Sequence, residues 1–145
     1  MKIEEEIHHH FVNPQQRVVT NIIFTSNWLL NKLSGSLRLT GLSLQQFNVL
    51  SILHGQKDHT ATVNLIKDRL IDRMPNVSRL LNKLSDKGLV EKHRNHNDQR
   101  VVYVKLTEKG LELKKRARII IDNETVNLSD QQADILNDLL ERIRE

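Results

Sequence analysis

Residues 74–107 read MPNVSRLLNKLSDKGLVEKHRNHNDQRVVYVKLT, and the reading of this stretch decides the fold. Val77, Leu80, Leu81 and Leu84 recur at i, i+3, i+4 and i+7, the spacing that lays an apolar stripe along one face of an α-helix. The opposite face carries Asn76, Arg79, Asn82 and Lys83, side chains rich in hydrogen-bond donors. Beyond Gly88 two alternating runs, Leu89–His93 and Val101–Leu106, flank the polar tip Asn95–Arg100. Alternation sets Val102, Val104 and Leu106 on one side and Val101, Tyr103 and Lys105 on the other, as in a half-buried hairpin.

Immediately upstream, TATVNLIKDRLI places Val63, Ile66 and Leu70 on one helical face, with Thr60 or Thr62 as the cap. A short helix, a turn at 71–73, a second helix with Pro75 in its first turn and a basic hairpin together predict a winged helix-turn-helix over residues 41–106. The segment before it, TGLSLQQFNVLSILHG, opens on the capping-box pair Ser43 and Gln46 and turns Leu44, Phe47, Leu50 and Leu53 inward.

The flanks are helical too. From Pro14 to about Leu39, Val18, Ile22, Leu29 and Leu33 mark a stripe that Val19, Ile23 and Trp28 widen. A band this wide on so long a helix exceeds what a small domain needs for its own core, so part of it is expected to pack on another chain. Thr107 is placed to cap a following helix, and Ser129 with Gln132 repeats the capping box before a last helix carrying Ile135, Leu136, Leu139, Leu140 and Ile143. Residues 14–40 and 107–145 therefore form the expected helical dimerisation region. Residues 1–13 are expected to be a flexible arm, and the run His8–His10 cannot converge on one ion from a regular helix or strand; no metal site is assigned there.

Composition bounds the function. The 145 residues suffice for one domain with a real core, and 3% aromatic residues with five glycines and two prolines favour a mainly α chain with a small β element. Without cysteine there is no disulfide, thiolate nucleophile or thiol sensor. No run approaches the ~18 apolar residues of a membrane span, and the acidic start is no signal peptide, so the expected location is the cytoplasm. No Gly-rich phosphate loop, H-E-x-x-H or cysteine nucleophile occurs, and neither an enzyme nor a cofactor is expected. Net charge is +4, yet residues 69–109 hold ten Lys or Arg against five Asp or Glu. That unit nets +5 and the remainder −1, a concentration that points to a polyanion.

The order of elements, together with Lys87-Gly88-Leu89-Val90, Asp98-Gln99-Arg100 and Leu106-Thr107-Glu108-Lys109-Gly110, resembles the MarR family of bacterial transcription regulators. The likeness in organisation covers about residues 14–145, and its specific motifs span about 77–110. It implies a homodimer, held by the first and last two helices, on pseudo-palindromic double-stranded DNA, with a small-molecule effector site between the dimer helices and the reading head. Trp28, His54 and Tyr103 are placed either to line such a site or to pack. The chain departs from the family in the turn before the recognition helix, where small Ser or Thr residues are usual and Arg73-Met74-Pro75-Asn76 stands instead.

For DNA reading the candidates are Arg73, Asn76, Arg79 and Asn82 at base edges, where Arg can fork onto guanine and Asn onto adenine. Ser78 and Lys83 suit phosphates. In the wing, Arg100 suits a narrow minor groove, Arg94 and His96 suit phosphates, and Asp98 is expected to pair with Arg100 or to fold the loop backbone. The competing readings are an architectural DNA-binding module and a protein-docking winged helix, both without a ligand response.

Overall fold

Polar caps divide the chain into its elements. In the computed structural model, which describes residues 1–73 and 75–145, a single turn α1 (Ile3–Glu6) precedes the long helix α2 (Pro14–Leu37). Then come α3 (Leu44–His54), strand β1 (Thr60–Thr62), α4 (Val63–Arg69) and α5 (Val77–Asp86). Strands β2 (Val90–Arg94) and β3 (Val102–Leu106) lead to α6 (Glu108–Asp122) and α7 (Asp130–Arg142).

Each of the longer helices begins on a side-chain oxygen that accepts an otherwise unpaired backbone N–H. Asn13 accepts from Gln16 at 2.9 Å, Thr62 from Leu65 at 3.2 Å and Thr107 from Gly110 at 3.0 Å. The expected reciprocal boxes are present at Ser43/Gln46 and Ser129/Gln132.

Two local expectations are corrected. Pro75 does not lie in the first turn of α5; it precedes the cap Asn76, whose Oδ1 accepts from the Arg79 N–H at 3.1 Å. An asparagine offers the orphan donors an oxygen that a proline side chain lacks. Residues Thr60–Thr62 are not merely the lead-in to a helix: they form β1, which pairs antiparallel with β3 through Ala61↔Val104. The sheet therefore has three strands in the order β1-β3-β2. Three residues carry too little periodicity to announce a strand whose partner lies some forty positions away.

The core gathers the inward faces of α3, α4, α5 and the sheet. Leu50, Leu53, Ile66, Leu84 and Val104 are fully enclosed, with Leu37 from α2 and Ala117 from α6 closing its edges. Val104 and Leu106 are buried and Lys105 is exposed, as the alternation required. Gly88, at φ 72°, ends α5 in the left-handed region, and the Leu89 N–H returns to the Leu84 carbonyl at 3.0 Å. Gly110 lets α6 lie against the backbone of Leu89: a Cβ there would meet the Leu89 oxygen at 2.1 Å.

Outside the core the picture changes. Among the described residues, Leu37 is the one buried member of α2, and α7 buries none. The connection between α6 and α7 is tied to α2 by Lys32, which contacts Glu124 at 3.1 Å and the Thr125 carbonyl at 3.3 Å, while the Ser36 hydroxyl donates to the same carboxylate. At the N-terminus Ile3 is buried and Arg17 pairs with Glu4 at 2.6 Å; His8–His10 are exposed.

Candidate nucleic-acid interface

With Val77, Leu80, Leu81 and Leu84 buried, helix geometry turns Ser78, Arg79, Asn82 and Lys83 outward, and all four are exposed. Asn76 is exposed at the head of the same face, and Arg73 is exposed in the preceding turn. Met74 of that turn lies outside the described residues. The polar face of α5 is thus a consequence of its apolar one.

The wing is folded by its own polar side chains. Asn95 Oδ1 accepts from the N–H groups of Asn97 at 2.8 Å and Asp98 at 3.4 Å. Arg94 Nη1 donates to the Gln99 carbonyl at 2.8 Å, so this arginine braces the loop it flanks. Asp98 does both things expected of it. Its Oδ1 accepts from the Arg100 backbone N–H at 3.0 Å and from Arg100 Nε at 3.1 Å, and its Oδ2 accepts from Arg100 Nη2 at 3.3 Å. These bonds, the side-chain ones first, hold the Asp98 carboxyl below its ordinary range. The arginine nonetheless stays 90% exposed, presenting its outer edge at the wing tip. His96 is exposed on the same loop.

Helix and wing are joined by a residue absent from the sequence-based candidates. Lys92, on β2, donates its ammonium to Asn82 Oδ1. The signal for it lay in the alternation of β2: position 92 falls on the same side as the buried Val90. The basic surplus is also less uniform than the sequence suggests. Lys87 Nζ turns inward to the Gly41 carbonyl at 2.8 Å and to the buried Gln46 at 3.4 Å, and Lys109 Nζ caps the Lys87 carbonyl at 2.9 Å. These two lysines tie the end of α5 to α3 and to α6.

The three residues considered for a ligand site stand on three different elements. Trp28 is 50% exposed on α2. Tyr103 is half-buried on β3. His54 ends α3, with Nδ1 2.9 Å from Lys114 Nζ of α6 and its ring edge-on to His59. Partial burial, then the charges of Lys114, His59 and Lys115, disfavour the His54 imidazolium and lower its pKa from the ordinary value of 6.5.

A helix with one polar face beside a folded basic wing, on a core shared with two preceding helices, is a winged helix-turn-helix, the fold of the solved MarR-family transcription regulators. More particularly, the chain belongs to the family described as transcriptional regulator SarA/Rot, whose model matches residues 32–117. It is 31% identical over 109 residues to the uncharacterized HTH-type transcriptional regulator YdgJ of Bacillus subtilis, a match covering 72% of this chain and 65% of that protein.

Among solved structures, a point mutant of MarR from E. coli complexed with operator DNA superimposes with a TM-score of 0.75 at 24% identity, covering 92% of this chain and 99% of that one. BpsR of Bordetella bronchiseptica, whose DNA binding is described as regulated by 6-hydroxynicotinic acid, gives 0.76 at 18% identity over 94% and 99% of the two chains. Both are likenesses of fold. No helix among the described residues is long and apolar enough to cross a membrane.

Proposed function

We propose that the protein acts as a cytoplasmic homodimer that binds pseudo-palindromic duplex DNA and regulates transcription there. The observation that carries this reading is the outer face of α5: its donors project from a helix whose other face is locked into the core, and the hairpin that follows holds Arg100 exposed at its tip. A major groove admits one such helix, with residues near its N-terminus at the base edges. In this reading Asn76, Arg79 and Asn82 meet bases and Arg73 helps at the head of the helix. Ser78 and Lys83 meet phosphates, with Arg94 and His96 alongside on the wing. Arg100 enters the adjacent minor groove, with Asp98 fixing the angle of its guanidinium.

Residues 41–106 form the reading head, and residues 14–40 and 107–145 hold two copies together. Val19, Ile23, Trp28 and Leu30 of α2, with Ile135, Leu136 and Leu139 of α7, are exposed apolar side chains on those flanks. The chain exposes 10801 Å², against roughly 7,700 Å² for a compact monomer of its size. Pairing two copies through these faces would cover much of the excess and set two α5 helices about 34–36 Å apart, one turn of DNA. A small-molecule effector acting where the flanks meet the head, as BpsR is regulated by one, would change that spacing.

The test is binding to duplex DNA as salt is raised. A dimer that neutralises several phosphates per half-site should lose about a thousandfold or more in affinity between 50 and 200 mM salt. Arg79→Ala should weaken binding by about 1–3 kcal/mol and relax preference at one base pair. A flat salt dependence would overturn the reading. Salt-sensitive binding without sequence preference would favour the architectural alternative.

A further inference from the structure

Both asparagines on the reading face have already committed their oxygen. The Oδ1 of Asn76 caps α5 through the Arg79 N–H, and the Oδ1 of Asn82 accepts the Lys92 ammonium. A backbone N–H and an ammonium have only hydrogens to offer, so in each amide it is the oxygen that must face them. In each asparagine it is the Nδ2, with two hydrogens, that has no hydrogen-bond partner among the described residues.

The familiar two-bond contact of asparagine with adenine needs both ends of the amide, because adenine pairs an N7 acceptor with an N6 donor. Guanine differs: its O6 and N7 are adjacent acceptors, which the two Nδ2 hydrogens can address without Oδ1. We infer that Lys92 is a specificity-determining residue, which by engaging Asn82 Oδ1 fixes the orientation of the amide so that its Nδ2 donors read the major groove and favour guanine over adenine. The inference rests on the reading of α5 as the DNA-contacting helix. Lys92 itself is a positioning residue, acting through Asn82.

The experiment selects duplexes from a randomised pool with the 145-residue protein and with the Asn82→Ala, Lys92→Met and Lys92→Arg variants. Enriched sites are then titrated with each base at every position. Asn82→Ala locates the base pair that Asn82 reads, where preference flattens. At that position the unmodified protein should favour guanine over adenine by about tenfold, the scale of a well-made base contact. Lys92→Met frees Oδ1 and should move the guanine-to-adenine ratio about tenfold toward adenine. Lys92→Arg, still a donor, should retain the original ratio.

Both residues are exposed, and thermal melts of the variants check that the fold survives. Adenine preferred by the unmodified protein, with affinity lost when the N6 amino group is removed, overturns the inference. So does a Lys92→Met variant that binds every site more weakly with the ratio unchanged, since Lys92 would then be a phosphate contact only. Asn82→Ala without effect at any position likewise overturns it. These three outcomes leave sequence-specific binding standing, whereas a pool with no enriched sequence overturns the DNA-reading of α5 and this inference with it.

Discussion

The reading head and the flanking helices obey different physics within one chain. In the head the apolar faces of the helices and sheet find partners: α5 seals its stripe against α3 and the sheet, and β3 sits between two strands. In the flanks, α2 and α7 carry comparable apolar bands that meet little of this chain, and Leu139 is 51% exposed. A monomeric soluble protein rarely leaves contiguous apolar faces of this extent in water. The difference is that the head encloses most of its apolar side chains, whereas the flanks leave theirs exposed, the surface to which the proposed second copy is assigned.

The largest effect that could break this comparison is in the head. Leu84→Ala should cost about 2–5 kcal/mol of stability, because Leu84 is fully enclosed and its truncation opens a cavity in the core. Denaturant titration measures it, and a loss below about 1 kcal/mol, as at a surface site, would mean the head is not the rigid unit described.

A change in the flanks should act differently. Leu139→Asp is expected to shift the protein from dimer to monomer in sedimentation at micromolar concentration and to weaken DNA binding by uncoupling the two half-sites. Cooperative unfolding of the head should survive. If the monomeric variant loses cooperative unfolding, the head depends on the flanks after all, as in obligate dimers.

The smallest effect sharpens the comparison at its seam, where α3 of the head meets α6 of the flank through His54 and Lys114. Burial first, then Lys114, His59 and Lys115, lower the His54 pKa in the folded state from its ordinary 6.5. The unfolded chain therefore takes up a proton there before the folded one does. The contribution to stability is complete above pH 6.5 and is lost as pH falls through the lowered folded-state value. Chemical denaturation from mildly alkaline to mildly acidic pH should show this decline, and His54→Gln should flatten it. Equal slopes in the two proteins would remove His54 from the account.

Much of this was legible in the residues. The stripe Val77–Leu84 and the alternation through Val104 and Leu106 are local periodicities, and local periodicity is what backbone geometry converts directly into a buried face. The caps at Ser43, Thr107 and Ser129 were legible for the same reason, since donor and acceptor lie three residues apart. The Asp98–Arg100 pairing spans two residues and was equally accessible. The strand Thr60–Thr62 was not, because its stability comes from β3. Nor was the inward turn of Lys87 to Gly41 and Gln46, which counts as surface charge in any sequence tally.

By itself, the sequence determined the order of helices and wing, the polar face of the recognition helix and the surplus of cations near it. All of these follow from spacings of a few residues. Only the tertiary structure decided which of those polar groups remain available to a partner. Lys92 reaches Asn82 across ten positions, from a strand to the helix packed beside it, and engages the acceptor oxygen of its amide. Hydrogen-bonding capacity is consumed by whichever partner folding brings near, and that is settled by packing between elements rather than by the identity of the residue.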